Sequence, residues 1–186
     1  MTKTKMVKEV RFSGSGGQGL ILAGIILARA AVEDGLNVTQ TQSYGPESRG
    51  GYSRADVVIS NNEINYPEAT NLDILLALTQ EACDKYIHDL KRKGILICDT
   101  SQVKNISIIN DSTYEVPFTE IATEELGSDI PTNILSLAFV VKVTGIVTEK
   151  SLESAIIESV RPAFVELNIK AMKLGFKLAN EYKAQD

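Results

Sequence analysis

Phe12-Ser13-Gly14-Ser15-Gly16-Gly17-Gln18-Gly19 is the stretch on which the fold turns. A short run with apolar alternation, Val7 to Phe12, precedes it, and a long apolar block, Leu20 to Val32, follows it. The order is therefore strand, glycine loop, helix. Glycine reaches backbone angles closed to other residues and lets a ligand approach the main chain, so Gly14, Gly16, Gly17 and Gly19 can turn sharply and aim N–H groups outward. The first turn of the next helix adds its unpaired N–H groups and the positive end of its dipole, which favour phosphate or carboxylate. The same glycines also suit a tight strand-to-helix turn with close helix packing and no ligand.

Gly14, Gly16 and Gly19 satisfy the G-x-G-x-x-G spacing, a weak signal alone. A nicotinamide site calls for Asp or Glu about 20 residues on, at the end of the second strand, to hold the ribose hydroxyl. The run Leu36 to Gln42 reads as that strand, and its end offers Gln40, Gln42 and Ser43 instead. The acids Glu33 and Asp34 come before Gly35, where the first helix ends. The pattern favours an anion-holding edge over a dinucleotide site.

Composition narrows the classes further. A chain of 186 residues buries a substantial core without disulfide or metal staples. Its net charge of -5 disfavours nonspecific binding to nucleic acid or to anionic membranes, both of which need a basic face. Arg29 interrupts the longest apolar run, so no membrane span is expected, and the lysine-containing start lacks the apolar core of a secretory signal. A cytoplasmic location is the expectation. Cys83 and Cys98 are too few and too far apart for an iron–sulfur or structural zinc site, and both fall in apolar settings that suit small core residues. His88, the single histidine, follows Asp84 by four residues, which suits a surface pair on a helix.

Downstream, Ser43-Tyr44-Gly45-Pro46-Glu47-Ser48-Arg49-Gly50-Gly51-Tyr52 reads as a loop where an ordinary β-α-β unit would start a helix. Strand-like residues Tyr52 to Ser60 follow, Asn61-Asn62 supplies a turn, and Glu63 to Tyr66 reads as a short returning strand or an irregular edge. Regular alternation resumes with the apolar run Ile74 to Leu78 and a helix capped by Thr79. Lys91, Arg92 and Lys93 then complement that helix's C-terminal end, Gly94 stops it, and Ile95 to Asp99 forms the next strand. A weaker strand is expected over Ile106 to Asn110. From Phe118 the chain reads as helical: a buried helix over Ile134 to Val143, another opened by Thr148 and broken near Arg161-Pro162, and a last one striped by Phe164, Leu167, Ala171, Leu174, Leu178 and Tyr182.

The expected architecture is α/β: a single doubly wound, mainly parallel sheet domain spanning residues 1–186, with a loop and hairpin insertion after the second strand and a helical C-terminal region. In such a sheet the ligand crevice lies at the carboxyl ends of the parallel strands. Ser13 to Gly19, Ser43 to Gly51, Thr79 and Asp99 to Ser101 all reach that edge. Arg49 is its notable cation, since a guanidinium forks onto phosphate or carboxylate, although pairing with Glu47 or with loop carbonyls suits it equally. Tyr44 either stacks on a ligand or plugs the loop.

The glycine loop and the S-Y-G-P-E-S-R-G-G segment together resemble the γ subunit, or γ-type domain, of the 2-oxoacid:ferredoxin (acceptor) oxidoreductases. The strands D-I-L-L-A-L and I-L-I-C-D and Asn133 fit the same register, and the Tyr-Gly-Pro-Glu wording is most similar to 2-oxoglutarate-specific members. The resemblance implies one component of a multi-subunit enzyme that oxidatively decarboxylates a 2-oxoacid, joins the acyl group to coenzyme A and passes two electrons to ferredoxin or another acceptor. Its partners would be α, β and δ subunits, which carry thiamine diphosphate and the iron–sulfur clusters. The chain alone is expected to be inactive. Coenzyme A binding is associated with the γ-type domain, so Gly14, Gly16, Gly17, Gln18 and Gly19, with Tyr44, Arg49, Gly50 and Gly51, are carried as the residues matching the family's motifs. None is assigned a catalytic role, and no metal ligand is assigned. The Arg-Gly-Gly segment docking against the thiamine-bearing subunits stays open beside coenzyme A binding. Outside the resemblance, a free-standing nucleotide-binding enzyme and a structural adaptor without ligand remain as alternatives.

Overall fold

The computed structural model describes residues 6–44, 52–107 and 112–182. Their strands form one six-stranded sheet: β1 (Val7–Ser15), β2 (Asn37–Tyr44), β3 (Tyr52–Ser60), β4 (Leu72–Ala77), β5 (Leu90–Asp99) and β6 (Ser112–Val116), in spatial order β2-β3-β1-β4-β5-β6. The helices are α1 (Leu20–Glu33), α2 (Gln80–Tyr86), α3 (Phe118–Leu126), α4 (Thr132–Thr144), α5 (Glu149–Ser159) and α6 (Val165–Glu181). The pairs β1/β4, β4/β5 and β5/β6 are parallel, whereas β3 lies antiparallel to both β1 and β2. The doubly wound, mainly parallel sheet is thus present, with one reversed strand. The excursion after β2 enters the sheet between β2 and β1 rather than hanging from its edge, and residues 63–66 form no strand.

Each sheet face has its own core. Val10 and Phe12 of β1, with Ala55, Val57, Ile74 and Ile97, meet α1, α4 and α5 on one face. Leu75, Ala77, Leu96 and Cys98 meet Ala82, Cys83 and Tyr86 of α2 on the other. Alternation along β1 makes the split, because successive side chains point to opposite faces. The cysteines are buried core residues as expected, with their sulfurs 3.9 Å apart. In α4, Thr132 through Val141 are all buried, and Gly145 closes the helix at φ 62°. A Cβ on Gly175 of α6 would collide with the Leu135 carbonyl, so this glycine sets how closely α6 approaches α4.

The segment after α2 departs from expectation. Lys91, Arg92, Lys93 and Gly94 belong to β5, not to the end of a helix. The helix gives way to a single 3-10 turn at Ile87–Asp89, and the chain is extended by Leu90. Here β5 uses six residues, Leu90 to Ile95, where β4 uses three, Leu72 to Ile74, so the extra residues form an irregularity in the ladder. Lys91 Nζ meets Asp73 Oδ2 at 2.8 Å instead of the helix dipole, and Gly94 lies so near the Leu90 side chain that a Cβ would crowd it. His88 is exposed, while Asp84 accepts from Gln80 Nε2 at 2.9 Å. Ile106 and Ser107 are not in a strand, and residues 108–110 lie outside the described ones.

Candidate functional site

The chain leaves β1 toward β3 and β2 on one side, and from β4 it winds toward β5 and β6 on the other. The junction of β1 and β4 is therefore the switch point of the sheet. The helices leaving these neighbours, α1 and α2, pack on opposite faces, which opens a crevice at the carboxyl ends. A cavity of about 670 Å³ occupies it.

Ser15, Gly17, Gln18 and Gly19 form one wall of the cavity. Gly17 and Gly19 take φ of 94° and 72°, which L-residues with a Cβ adopt only under strain. Gln18 staples the loop: its Oε1 accepts from the Ser15 N–H at 2.8 Å, over Gly14, whose missing Cβ leaves room for it. Gly19 caps α1 through its carbonyl, which accepts from Ala23 N and from Asn133 Nδ2, each at 3.0 Å. No side chain caps α1, and its first turn holds no acid. The positive end of the helix dipole is thus left uncompensated at the cavity.

The other walls come from farther along the chain. Thr79 follows β4 and caps α2, accepting from Ala82 N at 3.3 Å. Asp99, fully buried at the end of β5, accepts from Ser101 N at 3.0 Å and from Thr119 Oγ1 at 2.5 Å, which fixes the wall containing Gln102 and Thr119. Leu22, Phe164 and Leu167 supply apolar lining, and Ser159 and Arg161 complete it at the junction of α5 and α6. Among the described residues that line it, Asp129 is the one acid and Arg161 the one permanent cation.

Of the residues singled out in the sequence, Gly17, Gln18 and Gly19 face the cavity, while Gly14 and Gly16 are not among its lining. Tyr44 ends β2 opposite Ser53, and Tyr52 begins β3 opposite Ser15, so the ends of the second motif reach the same sheet edge as the glycine loop. Arg49, Gly50 and Gly51 themselves lie outside the described residues. Arg161 entered the sequence reading only as part of a helix break. The signal was available: an arginine directly before Pro162, where backbone restriction favours an extended residue and ends the helix.

Residues 9–178 match the family model of pyruvate ferredoxin/flavodoxin oxidoreductase. The chain belongs to that family. Within it, the chain is 44% identical over 182 residues to the 2-oxoglutarate synthase subunit KorC of Methanocaldococcus jannaschii, covering 96% of this chain and 97% of that one. Among solved structures, the keto/oxoacid ferredoxin oxidoreductase γ subunit from Geobacter sulfurreducens PCA superposes with a TM-score of 0.88 at 45% identity, over 96% of this chain and 99% of the other. The 2-oxoglutarate:ferredoxin oxidoreductase of Magnetococcus marinus, solved with 2-oxoglutarate, coenzyme A and succinyl-CoA bound, shares the fold at a TM-score of 0.82 and 21% identity, over 97% of this chain and 32% of that longer one. This family member is a γ-type subunit of a multi-subunit 2-oxoacid:ferredoxin oxidoreductase. No helix among its described residues is long and apolar enough to cross a membrane.

Proposed function

We propose that this chain is the γ subunit of a coenzyme A-dependent 2-oxoglutarate:ferredoxin oxidoreductase, which forms succinyl-CoA, and that its crevice holds the phosphates of coenzyme A. Near-full-length 44% identity to a 2-oxoglutarate synthase subunit carries the substrate reading. The cavity at the start of α1, which no side chain caps, supports the coenzyme reading, because glycine backbone and helix dipole together favour a pyrophosphate.

In this proposal residues 1–186 form one γ-type domain of a cytoplasmic complex with α, β and δ partners. Thiamine diphosphate and the iron–sulfur clusters, held by those partners, supply the carbanion and electron chemistry. The chain's own residues bind and orient. Gly17 and Gly19 bring main chain to the ligand, Gln18 and Gly14 hold the loop in shape with Gly16, and Asn133 fixes the Gly19 carbonyl. Tyr44, Arg49, Gly50 and Gly51, from the second sequence motif, are assigned to the same ligand in this proposal.

The test is purification of the native complex through this chain, followed by acceptor reduction with a panel of 2-oxoacids, with and without coenzyme A. The highest kcat/KM is expected for 2-oxoglutarate, with strict dependence on coenzyme A. Faster use of pyruvate or a branched 2-oxoacid overturns the substrate reading, and turnover independent of coenzyme A overturns the other.

A further inference from the structure

The cavity has a second polar wall that the glycine loop does not explain. Ser159 Oγ is buried and lacks a hydrogen-bond partner, the one such side-chain atom among the described residues. A buried hydroxyl without a partner is costly, and native structures normally satisfy it. Two residues on, Arg161 is exposed at the cavity with no ion-pair partner among the described residues. Its backbone is held extended at φ -63° and ψ 144°, and its carbonyl accepts from Phe164 N at 2.8 Å. Pro162 fixes the break between α5 and α6, so the side chain leaves from a defined point.

We propose that Arg161 and Ser159 form a subsite for a phosphate monoester, the 3′-phosphate of coenzyme A, distinct from the pyrophosphate position at the start of α1. This rests on the reading of the cavity as a coenzyme A site. Coenzyme A carries two separate anionic groups, and the cavity is lined both by the glycine loop and by Arg161. The pyrophosphate suits the glycine wall, where the missing Cβ atoms permit close backbone contact. The monoester approaches a dianion near neutral pH and is the costlier group to strip of water, so it belongs with an exposed guanidinium that binds it through paired N–H donors. Ser159 Oγ–H donates to the same phosphate and gains the partner it lacks.

The experiment compares coenzyme A with 3′-dephospho-coenzyme A in the native complex, carrying either the wild-type chain or Arg161→Gln, by equilibrium binding and by KM. Wild type should prefer coenzyme A by about tenfold to a hundredfold, the worth of a charge-assisted bond. Arg161→Gln should abolish that preference while dephospho-coenzyme A binds as before, and Arg161→Lys should restore part of it. Ser159→Ala should reduce the preference by about two- to tenfold, as expected for one neutral hydrogen bond. Equal weakening of both ligands by Arg161→Gln, no change in either, or a wild-type complex that does not distinguish them overturns the subsite. A wild-type complex that binds neither ligand overturns the coenzyme A reading and the subsite with it.

Discussion

Arg11 and Arg161 show how differently one side chain can be used. Arg11 points from β1 into the α2 face of the sheet and is 2% exposed. Its Nε and Nη2 donate to the two carboxylate oxygens of Asp56 at 2.7 and 2.8 Å, Nη1 donates to Asp89, and Nη2 also reaches the Ala69 carbonyl. Tyr86 lies 4.8 Å below its guanidinium carbon. Arg161 sits at the cavity with no such partner among the described residues, beside the unpaired hydroxyl of Ser159. A polar group whose bonds are all made within the chain holds the fold, whereas one left unmade at a cavity is available to a ligand.

The largest test of this contrast is Arg11→Met. Removing one partner of a buried pair leaves Asp56, itself 3% exposed, as an uncompensated carboxylate, at a cost of about 3–5 kcal/mol. Arg54 Nε, 3.8 Å from Asp56, softens this only in part. Denaturant unfolding should show that loss, and a second change, Asp56→Leu, should recover much of it because the stranded charge is gone. No recovery in the double variant would mean that Arg11 stabilises mainly through Asp89, Ala69 and Tyr86.

A smaller effect separates two glycines of the same loop. Gly19→Ala imposes φ 72° on a residue with a Cβ and drives that Cβ into Asn133 Nδ2, the group that holds the Gly19 carbonyl. The strain alone is about 1–2 kcal/mol, and displacement of Asn133 should disturb the cavity as well. At Gly17, φ is 94° but nothing lies within 4 Å of an added Cβ, so alanine meets strain without collision. Thermal unfolding should rank Gly19→Ala below Gly17→Ala. The reverse order would show that Asn133 yields easily and that the cradle is softer than its packing implies.

The sequence made the strand, glycine loop and helix legible because glycine spacing and apolar blocks are local signals. It made α4 legible because an apolar run between Pro131 and Gly145 has few alternatives. The place of β3 between β2 and β1 was not legible, since strand order is set by long-range pairing that leaves no local mark. Lys91 to Gly94 were misread as a helix end because the same residues satisfy C-terminal rules, and only the pairing of Leu72 with Leu90 and of Ile74 with Ile95 makes them an irregular strand. Gly17, Gln18 and Gly19, singled out from the glycine loop, line the cavity. Arg161 and Ser159 were missed because their meaning depends on a cavity formed with residues far away in the chain.

The helix α5 carries both kinds of polar group, one at each end, and allows the finest test. At its C-terminal end is Ser159, unpaired. At its N-terminal end Asp34 accepts from Thr148 N at 2.6 Å, Thr148 Oγ1 at 2.8 Å and Ser151 Oγ at 2.6 Å, which ties the end of α1 to the start of α5. Partial burial pushes the Asp34 carboxyl up, but the bonds from Ser151 and Thr148 outweigh it and hold the group below its ordinary value. A depressed carboxylate stabilises the fold fully above its unfolded pKa, near 3.9, and that contribution is lost as pH falls through the lower folded value. Asp34→Asn should therefore cost about 1 kcal/mol at neutral pH, a charge-assisted bond discounted for partial exposure. The gap between wild type and variant should close on acidification. Preference for coenzyme A over its dephospho form should be untouched, because this end of α5 is satisfied within the chain. A changed preference would mean that the two ends of the helix are coupled, and that a fully bonded polar group here also tunes the cavity.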